Sequence, residues 1–195
     1  MVLAAFGKSA QFLLHTWLPS AMEGPTPVSS LLHASTLVVA GIYLLIRTIS
    51  ILGVSDYALF IAATVGTITA IFAASTALVQ SDMKRIIAYS TCSQFGYLTA
   101  AVGVGQTSSA LLHISSHGGF KALLFICAGG IIHSMRDEQD LRRLGGLVSY
   151  LPFTYAVMLV GSLSIIATPY MSGHVSKDLV LELAASQLST SANFF

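Results

Sequence analysis

Charge is what this sequence has least of. Only 9% of its 195 residues are Asp, Glu, Lys or Arg, against roughly 25% in an ordinary soluble domain. Such a chain cannot clothe its surface in hydrated groups. The net charge is +1, and Lys and Arg form no long basic run, which excludes nucleic acid as a partner. Cysteine is nearly missing. Cys92 and Cys127 lie far apart in apolar stretches with no CxxC or Cys/His ligand spacing, so they read as two unpaired membrane thiols and no metal site is expected. No phosphate loop, nucleophile triad or dinucleotide fingerprint appears. Nor is there a basic n-region or Arg-rich presequence, so no removable targeting signal is expected. A first helix that already holds a lysine reads as internal, as if more of the protein preceded it. No soluble domain, low-complexity segment or linker is visible.

What is abundant is apolar sequence: 54% of residues are hydrophobic, with a mean hydropathy of +0.79. They fall into blocks near the roughly 20 residues a helix needs to cross a bilayer. The first block predicts a helix from about Val2 to Ala21, ended by Gly24, Pro25 and Pro27. Further helices are expected over about Val28 to Arg47, Tyr57 to Val79, Ile86 to Gly103 and Ser108 to Met135. A sixth run, about Val148 to Ile166, is interrupted at Pro169 and Gly173 and followed by an amphipathic piece, about Val175 to Ser186. Such interruptions resemble the discontinuous helices of transporters. The expected fold is thus an all-α polytopic transmembrane bundle of about six spans, the last discontinuous. It forms a single domain over 1–186 with a tail over 187–195. Lys84, Arg85, Arg136, Arg142 and Arg143 lie in the odd-numbered links, against Arg47 alone in the others. The charge bias therefore puts the odd links on the cytoplasmic or matrix side.

Ionisable residues inside spans cost roughly 2.5 to 3.5 kcal/mol each and usually mark a pathway. Lys8 and His15 fall in the first helix, His33 in the second, and Lys177 and Asp178 beside the last interruption. In the fifth helix His113, His117 and Lys121 recur at i, i+4 and i+8, so they share one face. At about 1.5 Å per residue this ladder covers about 12 Å, long enough to hand a proton through much of half a membrane. Lysine suits such a path because its charge responds to burial and to nearby carboxylates. Histidine relays between lysines. A lone membrane histidine such as His15, His133 or His174 more simply bonds a neighbouring carbonyl. The mixed charges from Arg136 to Arg143 read as a solvated loop, and Gly129, Gly130, Ala73, Ala74 and Ser75 as close helix packing.

The stretch GKSAQFLLHTWLPSAMEGPTPVSSLLHASTLVVAGIYLLIR from Gly7 resembles the signature of the antiporter-like membrane subunits of respiratory complex I, mitochondrial type. QSDMKRIIAYSTCSQFGY from Gln80, HGGFKALLF from His117 and SKD from Ser176 agree with it, and the likeness extends to about Glu182. The resemblance implies one of two inverted half-channel repeats. Lys8 would be the first channel lysine, His33 the bridging histidine, Lys121 the central lysine beside His113 and His117, and Lys177 the exit lysine in the broken helix. It also implies a mitochondrial inner-membrane protein, or alternatively a bacterial plasma-membrane one. Other membrane-arm subunits and the lipid bilayer would be its partners, and another chain or segment would supply the family's first repeat with the carboxylate partner of Lys8. No cofactor is expected in this chain; NADH, FMN, iron–sulfur clusters and ubiquinone would belong to other subunits. Two departures stand out: Gly118 and Gly119 replace the family's alanine and aromatic, loosening the helix, and His174 replaces an aromatic. The alternatives are a subunit of a multi-subunit Na+/H+ antiporter, and a structural, non-conducting fragment.

Overall fold

The computed structural model describes residues 1–192, with the side chains of Ala34 and residues 187–192 left out of account. Among the described residues the secondary structure is helical, with one isolated β-bridge between Asp82 and Asp140. The helices are α1 (Val2–Lys8), α2 (Trp17–Ser20), α3 (Thr26–Ser29), α4 (Val39–Arg47), α5 (Ile49–Leu52), α6 (Asp56–Val79), α7 (Met83–Gly103), α8 (Thr107–Ser134), α9 (Pro152–Ile166) and α10 (Leu179–Ala192). Helix α10 thus enters the expected tail, of which residues 193–195 lie outside the described residues.

The expected first helix over Val2 to Ala21 is not continuous. Helix α1 stops at Lys8, and Ala10 and Leu13 take left-handed φ values of 52° and 73°. The chain re-enters helix only at Trp17. The apolar pattern could not show this, because an irregular segment packed inside a protein needs the same apolar side chains as a helix. Its polar groups find partners: Thr69 Oγ1 accepts from Phe12 N–H at 3.0 Å, and Cys92 Sγ reaches Ala10 O at 3.0 Å. The second expected helix is helical through most of its length but contains a π-helical stretch, Ser30–Thr36, between α3 and α4. Such stretches widen one turn by a residue and occur often at functional sites.

Two helices, α6 (24 residues) and α8 (28 residues), are each long and apolar enough to cross a membrane. Helices α6 and α7 pack as an antiparallel pair on small residues. A Cβ added to Gly66 would stand 2.5 Å from Ala100 N, and one added to Gly96 would stand 2.6 Å from Ala70 N. Glycine is what lets these two backbones touch. The interruption after α9 is present: Ala167 and Tyr170 have φ of 68° and 69°, and a π-helical stretch, His174–Asp178, precedes α10. Gly173 is pressed against the carbonyl oxygen of Ser164 on α9, where no larger residue fits.

Three links meet at one end of the bundle. Met83 N–H donates to Gln139 O (3.1 Å) and Leu141 N–H to Ser81 O (3.0 Å), joining the α6–α7 and α8–α9 links. Lys84 Nζ donates to Gly24 O at 3.1 Å in the link before α3. The odd-numbered links thus share a side, as their positive charge implied. The opposite end carries Val54 and Gly105, and the outer faces carry exposed Leu3, Phe60, Ile71, Ile126 and Phe153.

Candidate functional site

Helix α8 brings His113, His117 and Lys121 onto one buried face, with exposures of 1%, 0% and 0%. The helix passes Gly118 and Gly119 without a break. Facing it, α7 presents a second polar column. Lys121 Nζ donates to Ser90 Oγ at 2.7 Å and to Ile87 O at 3.2 Å. One helical turn or so away, Gln94 Oε1 lies 3.0 Å from His113 Nε2. Between them His117 sits against Phe95 and Phe120, with ring centroids 5.1 and 5.3 Å away, and 6.0 Å from His113. The aromatic rings flank this middle step, and the groups at its two ends are hydrogen-bonded.

The interruption before α10 closes the far end of the ladder. Ser176, buried to 1%, places its hydroxyl 2.9 Å from His113 Nδ1, and Ser116 Oγ donates to it at 2.8 Å. Next to it Lys177 is half-buried, its Nζ 5.4 Å from the centre of the Tyr97 ring on α7, a cation–π placement. Asp178 turns the other way and accepts from exposed His174 Nδ1 at 2.6 Å. His174 therefore lies beside the interruption, paired on the outside.

The remaining expected residues divide. His33 is buried at 5% on the π-helical stretch, 6.0 Å from the Trp17 ring, and its Nδ1 has no hydrogen-bond partner among the described residues. That stretch lies along α8: Ser30 Oγ donates to Ala122 O at 3.5 Å, and a Cβ on Gly118 would meet Ser35 at 3.7 Å. That is ordinary contact, and a Cβ on Gly119 would meet nothing within 4 Å, so packing requires neither glycine. Lys8, by contrast, is exposed at the end of α1 and has no hydrogen-bond or ion-pair partner among the described residues. The structure does not bring it into the buried cluster. His15 lies parallel to Phe12 and meets Phe72 edge-on.

Three members of the cluster went unnoticed in the sequence: Ser90, Gln94 and Ser176. Ser90 and Gln94 stand at i and i+4, which puts them on one face of α7, but Thr91, Ser93 and Thr99 on the same helix blur that signal. Ser176 carried no such signal, since its role depends on where the interrupted segment lands. Lys84, read as a link residue, is also buried, at 4%, beside a cavity of about 730 Å³ lined with Glu23, His133 and Asp137.

A buried face of lysine and histidines thus meets an interrupted helix in a bundle of small-residue contacts. The profile of the family described as "NADH:quinone oxidoreductase/Mrp antiporter, TM" matches residues 1–194. The chain belongs to this family. As a member of the NADH:quinone oxidoreductase/Mrp antiporter family it is a multi-pass membrane protein. It is 54% identical over 194 residues to NADH-ubiquinone oxidoreductase chain 5 of Allomyces macrogynus, covering 100% of this chain and 30% of that one. It is 57% identical to the chain 5 of Cryptococcus neoformans, with 98% and 29% covered, and 54% identical to that of Metridium senile, with 96% and 31% covered. The chain thus spans about 30% of the length of the relatives it matches.

Proposed function

We propose that this chain is a proton-translocating part of the membrane arm of NADH:ubiquinone oxidoreductase, and so a segment of a redox-driven translocase. The observation that carries the proposal is Lys121. A fully buried ammonium is normally paired with a carboxylate or lost as a charge, yet its two partners are a hydroxyl and a backbone carbonyl. A group held so loosely in charge, at the foot of a histidine ladder, is suited to gaining and losing a proton rather than to fixing the fold.

Protons would pass along the axis of Lys8, His33, Lys121, His117, His113 and Lys177, with Asp178 and His174 at the outer end. Oxidation of NADH by quinone elsewhere in the complex would drive them. Each 100 mV crossed costs about 2.3 kcal/mol per proton. The nicotinamide, flavin, iron–sulfur and quinone chemistry belongs on this proposal to other subunits of the inner mitochondrial membrane. A neighbouring chain or segment would cover the face of α1 and give Lys8 its carboxylate. Six crossings would follow: Val2 to Ala21 with its irregular middle, Thr26 to Arg47, α6, α7, α8, and α9 with α10. That its relatives are chain 5 of NADH-ubiquinone oxidoreductase favours this over an Na+/H+ antiporter subunit.

The test is Lys121→Ala in the assembled complex, reading protons translocated per NADH oxidised in sealed vesicles. The ratio is expected to fall while NADH oxidation by an artificial acceptor continues. An unchanged ratio would sink the proposal. Migration on a native gel without NADH-oxidising subunits would point instead to the antiporter.

A further inference from the structure

His113 is held at both ring nitrogens by neutral groups on two other segments: Gln94 Oε1 on α7 at 3.0 Å from Nε2, and Ser176 Oγ on the interruption at 2.9 Å from Nδ1. An amide oxygen only accepts, so Nε2 keeps its hydrogen whatever the charge of the ring. Every change of protonation therefore falls on Nδ1.

In the neutral ring Nδ1 is a lone pair and Ser176 must donate to it. In the imidazolium Nδ1–H donates and Ser176 must accept. Ser176 has a single hydroxyl hydrogen, and a second acceptor stands within its reach, the carbonyl oxygen of Ser172 at 3.1 Å. Ser116 Oγ, donating at 2.8 Å, fills one of the two lone pairs of Ser176 in either state. With His113 charged, the other lone pair takes Nδ1–H and the hydroxyl hydrogen goes to Ser172 O, so all three bonds of Ser176 are made. With His113 neutral the hydrogen returns to Nδ1 and the Ser172 carbonyl loses that bond. One proton is gained or lost at Nδ1, exchanged with the neighbouring step of the ladder, and no other bond breaks. The change falls within the interrupted segment itself, between the buried Ser176 hydroxyl and the backbone carbonyl of exposed Ser172.

The geometry points to Ser176 as a positioning residue that couples the proton on His113 to the conformation of the interrupted segment, and through it to Lys177. This rests on the proton-relay reading of the same cluster. The titratable and charged groups on the elements packed here are His117 and Lys121 on α8, with Cys127 and His133 toward its far end; Tyr89, Cys92 and Tyr97 on α7, with Lys84 and Arg85 at its start; Lys177, Asp178 and His174 on the interruption; and Glu182 on α10. Asp178 is occupied by His174, and Lys177 lies over Tyr97. The switch itself needs only the Ser176 hydroxyl, the imidazole and one backbone carbonyl, with Ser116 an additional tie.

The experiment compares Ser176→Ala, Ser176→Thr and Ser116→Ala in the assembled complex with Lys121→Ala as reference, measuring the pH profile of protons translocated per NADH. Ser176→Ala is expected to lower translocation several-fold and displace the profile, and Ser176→Thr to restore its position. Ser116→Ala is expected to leave the profile in place, because it removes a tie without touching the ring. A wild-type profile in Ser176→Ala, or an equal displacement in Ser116→Ala, overturns the coupling while Lys121→Ala still lowers the ratio. A ratio left unchanged by Lys121→Ala overturns the relay reading and the coupling with it. Should Ser176→Ala fail to assemble, Ser176→Cys keeps a weaker donor in place and is expected to give an intermediate displacement; a wild-type profile there overturns the coupling.

Discussion

Lys121 and His113 are both buried, yet each is held by groups that carry no charge. A carboxylate beside either would stabilise the charged form and trap the proton, whereas hydroxyls, amides and carbonyls accept either state by turning. Ser90 is the strongest of these partners, at 2.7 Å. Hydrogen bonds to charged groups contribute about 1.5–3 kcal/mol, so Ser90→Ala is expected to slow translocation by roughly tenfold or more, at about 1.4 kcal/mol per tenfold. Ser90→Thr, which keeps the hydroxyl, should stay near the wild-type rate. Proton uptake in sealed vesicles during NADH oxidation measures both, and equal rates in the alanine and threonine variants would deny Ser90 this part.

At the scale of elements, the buried face depends on how closely α7 can approach its neighbours. Gly66 and Gly96 let α6 and α7 touch backbone to backbone. A leucine at Gly96 would drive them apart, at a cost of about 1–3 kcal/mol or more, and the assembled complex is expected to decrease on a native gel. The α8–α9 link contributes differently. Arg142 beside Asp140 holds that carboxyl down at about 2 from 3.8, and Arg143 beside Glu138 also lowers its carboxyl. A carboxylate with a lowered value in the folded chain supports the fold above its unfolded value and loses that support as pH falls through its folded one. The link is therefore expected to loosen between about pH 3.8 and 2. Hydrogen exchange at the Arg142 amide, which donates to Asp140 Oδ1, would show it; protection unchanged across that window would refute it.

For the whole molecule, three links join at one end through Ser81, Gln139, Leu141, Gly24 and Lys84. Exposed Val54 lies between α5 and α6, one α6 length away. A membrane-impermeant maleimide is expected to label Asp137→Cys and Val54→Cys from opposite sides of sealed vesicles. Background is low because Cys92 and Cys127 are buried. Labelling of both from one side would rule out the proposed crossings. The apolar outer surface suits lipid or neighbouring subunits equally, so its exposed side chains need no other explanation.

The sequence by itself determined that the chain is helical, where α6, α7 and α8 begin and end to within about three residues, and that α9 is interrupted before Lys177. Long apolar runs and proline or glycine breaks act locally, and the 3.6-residue period alone puts His113, His117 and Lys121 on one face. Only the tertiary structure decided that the first apolar run breaks at Ser9, because partners such as Thr69 and Cys92, 57 and 82 residues away, satisfy its backbone. It also decided that Ser90, Gln94 and Ser176 complete the cluster and that Lys8 stays outside it. Those outcomes depend on which helices meet, and contacts between segments so far apart leave no periodic trace in either one.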